Sequence, residues 1–219
     1  LPAGYAQHPQ QRYPVLYVTD ALYSFPVVRS LRNLVGQRGV NLEDFILVGL
    51  PPQHGRTSKQ SRSRDYTPTA PTRRDADDYS AEEYGGAAHY RDFLAASVLP
   101  MIDARYRTDP SRRAFAGHSY GGLFGAYVLV TRPEMFDTYI LSSPSLWYDD
   151  HVSDRFEQDY AHDHRVLRAK VFLSVGGYET VKPGARYYRN NDMLAHNRAF
   201  AQRLRNRRYE GLGVETFVI

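Results

Sequence analysis

The chain has 219 residues, of which 42% are hydrophobic, a formal net charge of +4 and no cysteine. Disulfides, zinc–thiolate sites and cysteine nucleophiles are therefore excluded among these residues, while the redox compartment stays open. No apolar run reaches the roughly 18 residues of a membrane-spanning helix. Acidic residues are interleaved with the arginines, so we interpret the positive charge as a solvated surface and expect no nucleic-acid partner. The composition predicts one domain over residues 1–219, and the opening Leu1–Tyr5, without a leader pattern, suggests a trimmed N-terminus.

The first part of the chain predicts a strand, a helix, a second strand and an irregular segment. Residues 13–19 and 45–50 are short apolar runs, typical of strands in a buried parallel sheet. Between them a helix is predicted over residues 24–38, with Pro26 in its first turn and three apolar residues on one face, namely Val27, Leu31 and Leu34. Residues 51–84 lack periodicity and are predicted to form a long loop, either a functional cover or disordered.

The second part continues the alternation of helices and strands. Its predicted elements are, in chain order, a helix over 86–106 with a bend near Pro100, a strand over 113–116, a helix over 123–130, strands over 138–142 and 170–175, a helix over 192–207 and a strand over 214–219. An insertion over about 144–165, with a helix near 154–160, separates the strands 138–142 and 170–175. This order predicts an α/β fold, a doubly wound, mainly parallel sheet with helices on both faces.

Residues 116–122 read Ala-Gly-His-Ser-Tyr-Gly-Gly and contain a G-x-S-x-G motif. The motif lies between a predicted strand and a predicted helix, where it forces a sharp turn that exposes the serine hydroxyl at the edge of the sheet. We therefore predict that Ser119 is a nucleophile. The alternative is a glycine-rich turn with an ordinary exposed serine.

A nucleophilic serine needs a histidine to take its proton and a carboxylate to orient that histidine. In the α/β-hydrolase order, the acid follows one late strand and the histidine follows the next. Glu179 comes shortly after the predicted strand 170–175, so we predict that it is the acid; the alternative is a surface carboxylate. Asp192 is the rival acid, and its other explanation is the N-cap of the last helix.

No histidine follows the last predicted strand, where the base is expected, because the sequence stops at Ile219. His118 adjoins Ser119 on the turn and is expected to point away from it. The other histidines lie before the nucleophile, in the insertion or in the last helix, and we assign none of them as the base. We expect a histidine-bearing segment beyond Ile219.

Several segments, in the same order along the chain, resemble a bacterial esterase family of the α/β-hydrolase fold. This family contains the enterobactin- and salmochelin-hydrolysing siderophore esterases and the esterase D-like proteins. The resemblance covers nearly the whole chain, and the segments that carry it are Tyr13–Tyr17 with Asp20, Arg64–Thr69, Ile102–Thr108, Gly117–Gly122 and Ser143–Trp147.

The resemblance implies that Ser119 forms an acyl-enzyme and that the backbone N–H groups of Tyr120 and Ala21 hold the tetrahedral oxyanion. The chain departs from the family at residue 21, because relatives usually have Asp-Gly where this chain has Asp20-Ala21. The family's histidine, in a Gly-Glu-x-His-like turn, would fall beyond Ile219.

Four further residues belong to segments that are expected to border the nucleophile, namely Arg64, Tyr66, Trp147 and Tyr148. They could form a basic, aromatic pocket for an anionic, aromatic ester such as a ferric catecholate siderophore. The alternative is that residues 64–66 form a self-satisfied structural loop.

These features favour a serine carboxylic-ester hydrolase with no metal and no organic cofactor, acting on a small-molecule ester, with a siderophore as the preferred substrate. The alternatives are an acyltransferase or thioesterase on the same fold, and a binding protein that has lost catalysis. A periplasmic location is favoured over a cytoplasmic one, and the oligomeric state is left open.

Overall fold

The computed structural model of the protein describes residues 1–36, 42–71, 84–181 and 191–219. Its strands are β1 (Tyr13–Val18), β2 (Ile46–Gly49), β3 (Thr108–His118), β4 (Thr138–Ser142), β5 (Val166–Val175) and β6 (Glu210–Val218). They form one six-stranded sheet in the order β2-β1-β3-β4-β5-β6, and each neighbouring pair is parallel.

Helices connect the strands. They are α1 (Ala21–Val35), α2 (Ser58–Asp65), α3 (Ala87–Phe93), α4 (Leu99–Arg105), α5 (Tyr120–Thr131), α6 (Tyr148–Asp163) and α7 (Met193–Arg207). A π-helical turn, Leu94–Val98, joins α3 to α4, and a short 3-10 helix, Pro133–Met135, follows α5. Within the described ranges, no helix combines the length and the apolar character that crossing a bilayer requires.

Helices lie on both faces of the sheet. On one face α5 packs so closely that a Cβ atom at Gly125 would lie 2.6 Å from the Phe115 ring. On the other face lies α1, where a Cβ atom at Gly49 would lie 2.8 Å from the Cβ of Ala21. The strand register aligns Gly49 and Ala116 with the same residue of β1, Val18, so both lie on one face of the sheet. Phe115 lies on the opposite face because successive residues of a strand alternate between the two faces.

The hydrophobic core lies beneath α5. Large side chains of the strands are fully buried there, among them Tyr13, Tyr17, Phe115, Tyr139 and Leu173. The α1 face is more open, since Ile140 in the central strand β4 is 40% exposed. Val27, Leu31 and Leu34, the apolar residues from which the helix was predicted, all lie in α1 and are exposed. The described residues therefore do not cover this apolar face.

Two predicted helices differ in detail from the helices of the structure. α1 begins at Ala21, earlier than predicted, because Asp20 takes a left-handed conformation with φ 54° that turns the chain directly out of β1. Pro26 therefore lies inside α1 rather than in its first turn. The predicted helix 86–106 is continuous from Ala87 to Arg105, with a π-helical turn at Leu94–Val98 directly before Pro100, where the Leu99 N–H donates to the Leu94 carbonyl.

The segment 51–84, predicted as a loop, contains α2. A capping box starts this helix: the Thr57 side chain accepts the Gln60 N–H while the Gln60 side chain accepts the Thr57 N–H. Residues 72–83 of the predicted loop lie outside the described ranges. In the insertion, α6 is longer than the predicted helix over residues 154–160.

Candidate active site

Ser119 lies between the end of β3 and the start of α5. Its backbone has φ 56° and ψ −117°, a sparsely populated conformation that costs roughly 1–3 kcal/mol and persists only where neighbours fix it. Here the Ser119 N–H donates to the Ser142 carbonyl at 3.0 Å, and the Ser119 carbonyl accepts the N–H groups of Leu123 at 2.9 Å and Ser145 at 3.1 Å. The strand, the strained turn and the helix together form a nucleophile elbow.

Glycines surround the elbow because backbones approach closely there. A Cβ atom at Gly117 would lie 2.3 Å from the Gly121 carbonyl oxygen, and one at Gly121 would lie 2.3 Å from Oγ1 of Thr19. A Cβ atom at Gly122 would lie 2.9 Å from Cα of Pro144. Real Cβ atoms essentially never come within 3.0 Å of another heavy atom, so the glycines of the motif allow α5 to start where it does.

The two candidate acids have different surroundings. Glu179 follows β5, and its Oε1 accepts the Ser143 hydroxyl at 2.5 Å and the Gly176 N–H at 3.0 Å. Asp192 is the N-cap of α7, where its side chain accepts the Ala195 N–H at 2.8 Å. Asp192 therefore has the structural role that the sequence offered as its alternative.

The parallel strands β3, β4 and β5 are neighbours, so the residues that follow them meet at one edge of the sheet. Ser119 follows β3, Ser143 and Ser145 follow β4, and Glu179 follows β5. The Ser145 hydroxyl oxygen lies 3.2 Å from the Ser119 hydroxyl oxygen. Neither Ser143 nor Ser145 was predicted from the sequence as a site residue. The available signal was their position directly after β4, the strand that lies between the strands preceding Ser119 and Glu179.

The two predicted oxyanion donors differ in the structure. Tyr120 is the first residue of α5, where the first-turn N–H groups carry the positive end of the helix dipole towards Ser119. In contrast, the Ala21 N–H donates to the Leu50 carbonyl at 3.2 Å. Ala21 is thus engaged elsewhere in this conformation, and its role stays a prediction that requires its N–H to leave Leu50.

An ion pair connects the loop before α1 to the elbow. Arg62 donates from Nε to Asp20 Oδ1 at 2.6 Å and from Nη2 to the His118 carbonyl at 3.4 Å, and its guanidinium lies 5.7 Å from the centre of the Tyr120 ring. Tyr23 donates to the second Asp20 oxygen at 3.1 Å. Burial and the Asp20 carboxylate raise the pKa of Tyr23 to about 12, so its hydroxyl keeps the proton at neutral pH. Arg62, which the sequence did not single out, is the arginine beside the elbow.

Arg64 and Tyr66, predicted to bind substrate, have structural partners instead. Arg64 forms an ion pair with its neighbour Asp65 at 2.6 Å. Tyr66 is 4% exposed, and its hydroxyl accepts the Asp20 N–H at 3.3 Å. These contacts are those expected of the self-satisfied loop, the alternative interpretation of this segment, and the substrate role of both residues stays a prediction.

Trp147 and Tyr148, the other two predicted substrate residues, belong to an aromatic cluster over the start of α5. Tyr148 is 3% exposed and donates from its hydroxyl to the Thr69 carbonyl at 2.7 Å, so its ring is part of the packing. Trp147 is partly exposed, and its ring centre lies 6.5 Å from that of Tyr120. Of these two, Trp147 offers the accessible aromatic surface.

All eight histidines lie within the described ranges, and none of them hydrogen-bonds to Ser119 or Glu179. His118 is exposed. His151 and His196 pair with each other, with 2.9 Å between Nε2 and Nδ1. The structure therefore places no described histidine as the base of Ser119.

The end of β6 lies beside the loop that carries Glu179. The Ile219 N–H donates to the Val175 carbonyl at 3.0 Å, and the Gly177 N–H donates to the Ile219 carbonyl at 2.7 Å. Glu179 follows in the same loop, so its neighbourhood is accessible from the carboxyl end of β6. In the part of the chain that the structure describes, no three His, Asp or Glu side chains are grouped to hold a metal ion.

Comparisons with known proteins identify the family of the chain. The model of the family described as "Putative esterase" matches residues 1–213. The ferri-bacillibactin esterase BesA of Bacillus subtilis is 34% identical over 148 residues, which are 64% of this chain and 50% of that protein. The siderophore triacetylfusarinine C esterase of Aspergillus fumigatus is 34% identical over 139 residues, which are 62% of this chain and 45% of that protein. The chain spans about half the length of the curated relatives it matches.

Solved structures share the fold. An IroE-like serine hydrolase from Shewanella oneidensis superposes with a TM-score of 0.82 and 26% identity, covering 100% of this chain and 67% of that chain. The siderophore hydrolase EstB from Aspergillus nidulans gives a TM-score of 0.70 and 25% identity, covering 99% of this chain and 81% of that chain. The predicted fold class is confirmed. The chain belongs to the esterase family that its motifs resemble.

Proposed function

We propose that the protein is a serine carboxylic-ester hydrolase that works through an acyl-enzyme on Ser119. The observation that carries the proposal is the strained elbow, which presents Ser119 at the carboxyl edge of the sheet. Glu179 lies at the same edge, with its carboxylate oriented by two hydrogen bonds. The family and the esterases among its relatives support this reaction class.

The proposed reaction has two halves. In the first, Ser119 Oγ attacks the ester carbonyl carbon while a histidine takes the hydroxyl proton, and the C–O bond then breaks as the alcohol leaves with that proton. In the second, the histidine deprotonates a water molecule that attacks the acyl carbon, which releases the carboxylic acid and restores Ser119. Glu179 orients the histidine and stabilises its protonated form.

We place this histidine in the chain that follows β6. None of the eight histidines in the described ranges hydrogen-bonds to Ser119 or Glu179. The end of β6 is hydrogen-bonded at Ile219 to Gly177 in the loop of the acid. A residue shortly after β6 would therefore reach Glu179.

The proposed oxyanion donors are the N–H groups of Tyr120 and Ala21. Loss of one such donor typically costs about 2.7–4 kcal/mol of transition-state stabilisation. The Ala21 N–H would have to leave the Leu50 carbonyl, which is a shift of one peptide at the start of α1. The pair between Asp20 and Arg62 fixes the residue before Ala21 and therefore limits that shift.

The proposed substrate class is an anionic, aromatic ester of the siderophore type. Trp147, the Tyr120 ring and the Arg62 guanidinium lie near the elbow, and aromatic faces with a cation suit such a ligand. The relatives named as esterases of ferri-bacillibactin and triacetylfusarinine C support this class.

Labelling with a fluorophosphonate tests the nucleophile. The full-length protein should be labelled, and Ser119→Ala should abolish the labelling because the probe reacts with an activated serine. If labelling is absent or independent of Ser119, the hydrolase proposal fails.

The assignment of the acid is tested with two matched variants. We expect Glu179→Gln to lower kcat by roughly 10²- to 10⁴-fold, because the histidine loses its orienting charge. Asp192→Ala should leave kcat near that of the wild type but lower the free energy of unfolding by about 1 kcal/mol, the usual contribution of an N-cap. The reverse pattern of kcat would make Asp192 the acid.

A further inference from the structure

The segment Ser143–Pro144–Ser145 connects the elbow to the acid. Both serines are buried, with exposures of 6% and 2%. The segment follows β4, which lies between the strand of Ser119 and the strand of Glu179. Each serine reaches one of these two groups, so the spacing between nucleophile and acid depends on this segment.

On the elbow side, the contacts are made by Ser145 and Pro144. The Ser145 N–H donates to the Ser119 carbonyl at 3.1 Å, and the two serine hydroxyl oxygens are 3.2 Å apart. Pro144 packs closely on Gly122: a Cβ atom added at Gly122 would lie 2.9 Å from the Cα atom of Pro144. The segment is thus held against the start of α5.

On the acid side, the contact is a short hydrogen bond. The Ser143 hydroxyl donates to Glu179 Oε1 at 2.5 Å, and the Gly176 N–H donates to the same oxygen at 3.0 Å. Two donors on one oxygen fix the plane of the carboxylate. Within the described ranges, all hydrogen bonds to this carboxylate reach Oε1, so Oε2 is the oxygen left for an imidazole N–H.

Ser143 has a backbone conformation that favours glycine over serine. Its φ is 40°, in the left-handed region that favours glycine, and its N–H donates to the Ser174 carbonyl at 2.7 Å. Glycine would relieve this conformation but would remove the hydroxyl. The chain therefore carries a strained residue at the position from which a hydroxyl reaches Glu179.

We propose that Ser143 is a positioning residue that acts through Glu179: its hydroxyl holds Oε1 so that Oε2 faces the histidine of the catalytic site. This inference rests on the proposed hydrolase function. It assigns no chemical step to Ser143. What it supplies is the orientation of the acid.

Two substitutions at Ser143 separate the effect of its hydroxyl on Glu179 from the effect of its strained backbone. Ser143→Gly removes the hydroxyl and relieves the positive φ, so we expect an equal or higher Tm together with a kcat lowered about 10- to 100-fold. Ser143→Ala removes the hydroxyl and keeps the strain, so kcat should fall equally without a gain in Tm. Ser111→Ala, in an exposed position early in β3, is the control and should leave kcat unchanged.

A double-mutant cycle on kcat distinguishes a role that acts through Glu179 from a purely structural role of Ser143. In the Glu179→Gln background, Ser143→Gly should cause no further loss of kcat, because the hydroxyl no longer has a carboxylate to orient. Wild-type kcat in Ser143→Gly, or an equal loss in both backgrounds, would overturn the inference. Absence of Ser119-dependent labelling in the wild type would instead remove the hydrolase proposal, so the two failures are distinguishable.

Discussion

Gly117 determines where the helix after Ser119 begins, and a single methyl group at this position should displace Ser119. A Cβ atom at Gly117 would lie 2.3 Å from the Gly121 carbonyl oxygen, 2.4 Å from its carbonyl carbon and 2.9 Å from the Gly122 nitrogen. All three are backbone atoms, so no side-chain rotation can relieve the overlap. Gly117→Ala must therefore move the first turn of α5 relative to β3.

The size of the movement follows from these distances. Real Cβ atoms keep at least 3.0 Å from other heavy atoms, so the backbone at Gly121 must retreat by about 0.7 Å. Ser119 and the Tyr120 N–H lie on this turn and would move with it. Since a displacement of about 1 Å can cost roughly 10²-fold in rate, we expect the rate of Ser119 acylation to fall by about 30- to 100-fold. Overpacking should also cost about 1–3 kcal/mol of stability.

The assay is the second-order rate constant for fluorophosphonate labelling, measured beside thermal unfolding. The matched control is Gly213→Ala in β6, where a Cβ atom would meet no heavy atom within 4 Å and where φ is not positive. This variant should label at the wild-type rate and unfold at an equal or slightly higher Tm. If Gly117→Ala labels within threefold of the wild type while remaining folded, the close approach of Gly117 to Gly121 does not position Ser119.

Two further predictions concern stability. Glu157 is 0% exposed, and its carboxylate accepts hydrogen bonds from Nε and Nη2 of Arg207 at 2.9 and 3.1 Å. Arg207→Met should therefore lower the free energy of unfolding by about 2 kcal/mol, less than the usual 3–5 kcal/mol for a broken buried pair because the Arg207 side chain is 37% exposed. For a chain of this length, that loss lowers Tm by about 4–8 °C. In contrast, Arg168→Met, at an exposed pair 3.9 Å long, should change Tm little, and equal shifts would contradict the role of burial. Burial, and after it the neighbouring His151, lower the pKa of His196 from its ordinary value, so folding favours the neutral ring. The unfolded chain takes up this proton more readily, and the free energy of unfolding should therefore fall as the pH drops from 7 to 5. His196→Gln should flatten this dependence in thermal melts across that range; a wild-type Tm that rises on acidification relative to the variant would contradict it.

The parts of the site that could be predicted from sequence are those with a local steric cause. Ser119 was identifiable because the elbow requires glycines at fixed offsets, and that requirement is written in seven consecutive residues. Glu179 was identifiable as the acid candidate because a carboxylate that follows a late parallel strand lies at the edge where ligands bind. The inference about Glu179 uses only the chain direction and the alternation of strands and helices.

The parts that could not be predicted depend on contacts between distant segments. Arg62 rather than Arg64 lies beside the elbow because α2 begins at the capping box of Thr57 and Gln60, which sets the helical phase of both arginines. No apolar periodicity marks α2, so its segment was predicted as a loop. The hydrogen bond of Ala21 to Leu50 likewise joins the residues that follow two different strands, β1 and β2, and no local pattern encodes it.

Trp147 is the only tryptophan among the 219 residues, and it lies in the aromatic cluster over the start of α5. The indole emission of the chain therefore comes from one position near the nucleophile. Because the ring is partly exposed, its emission should respond to the polarity changes that accompany ligand arrival and acylation. The chain thus carries its own optical reporter, so pre-steady-state events at the elbow can be followed by stopped-flow fluorescence without any label.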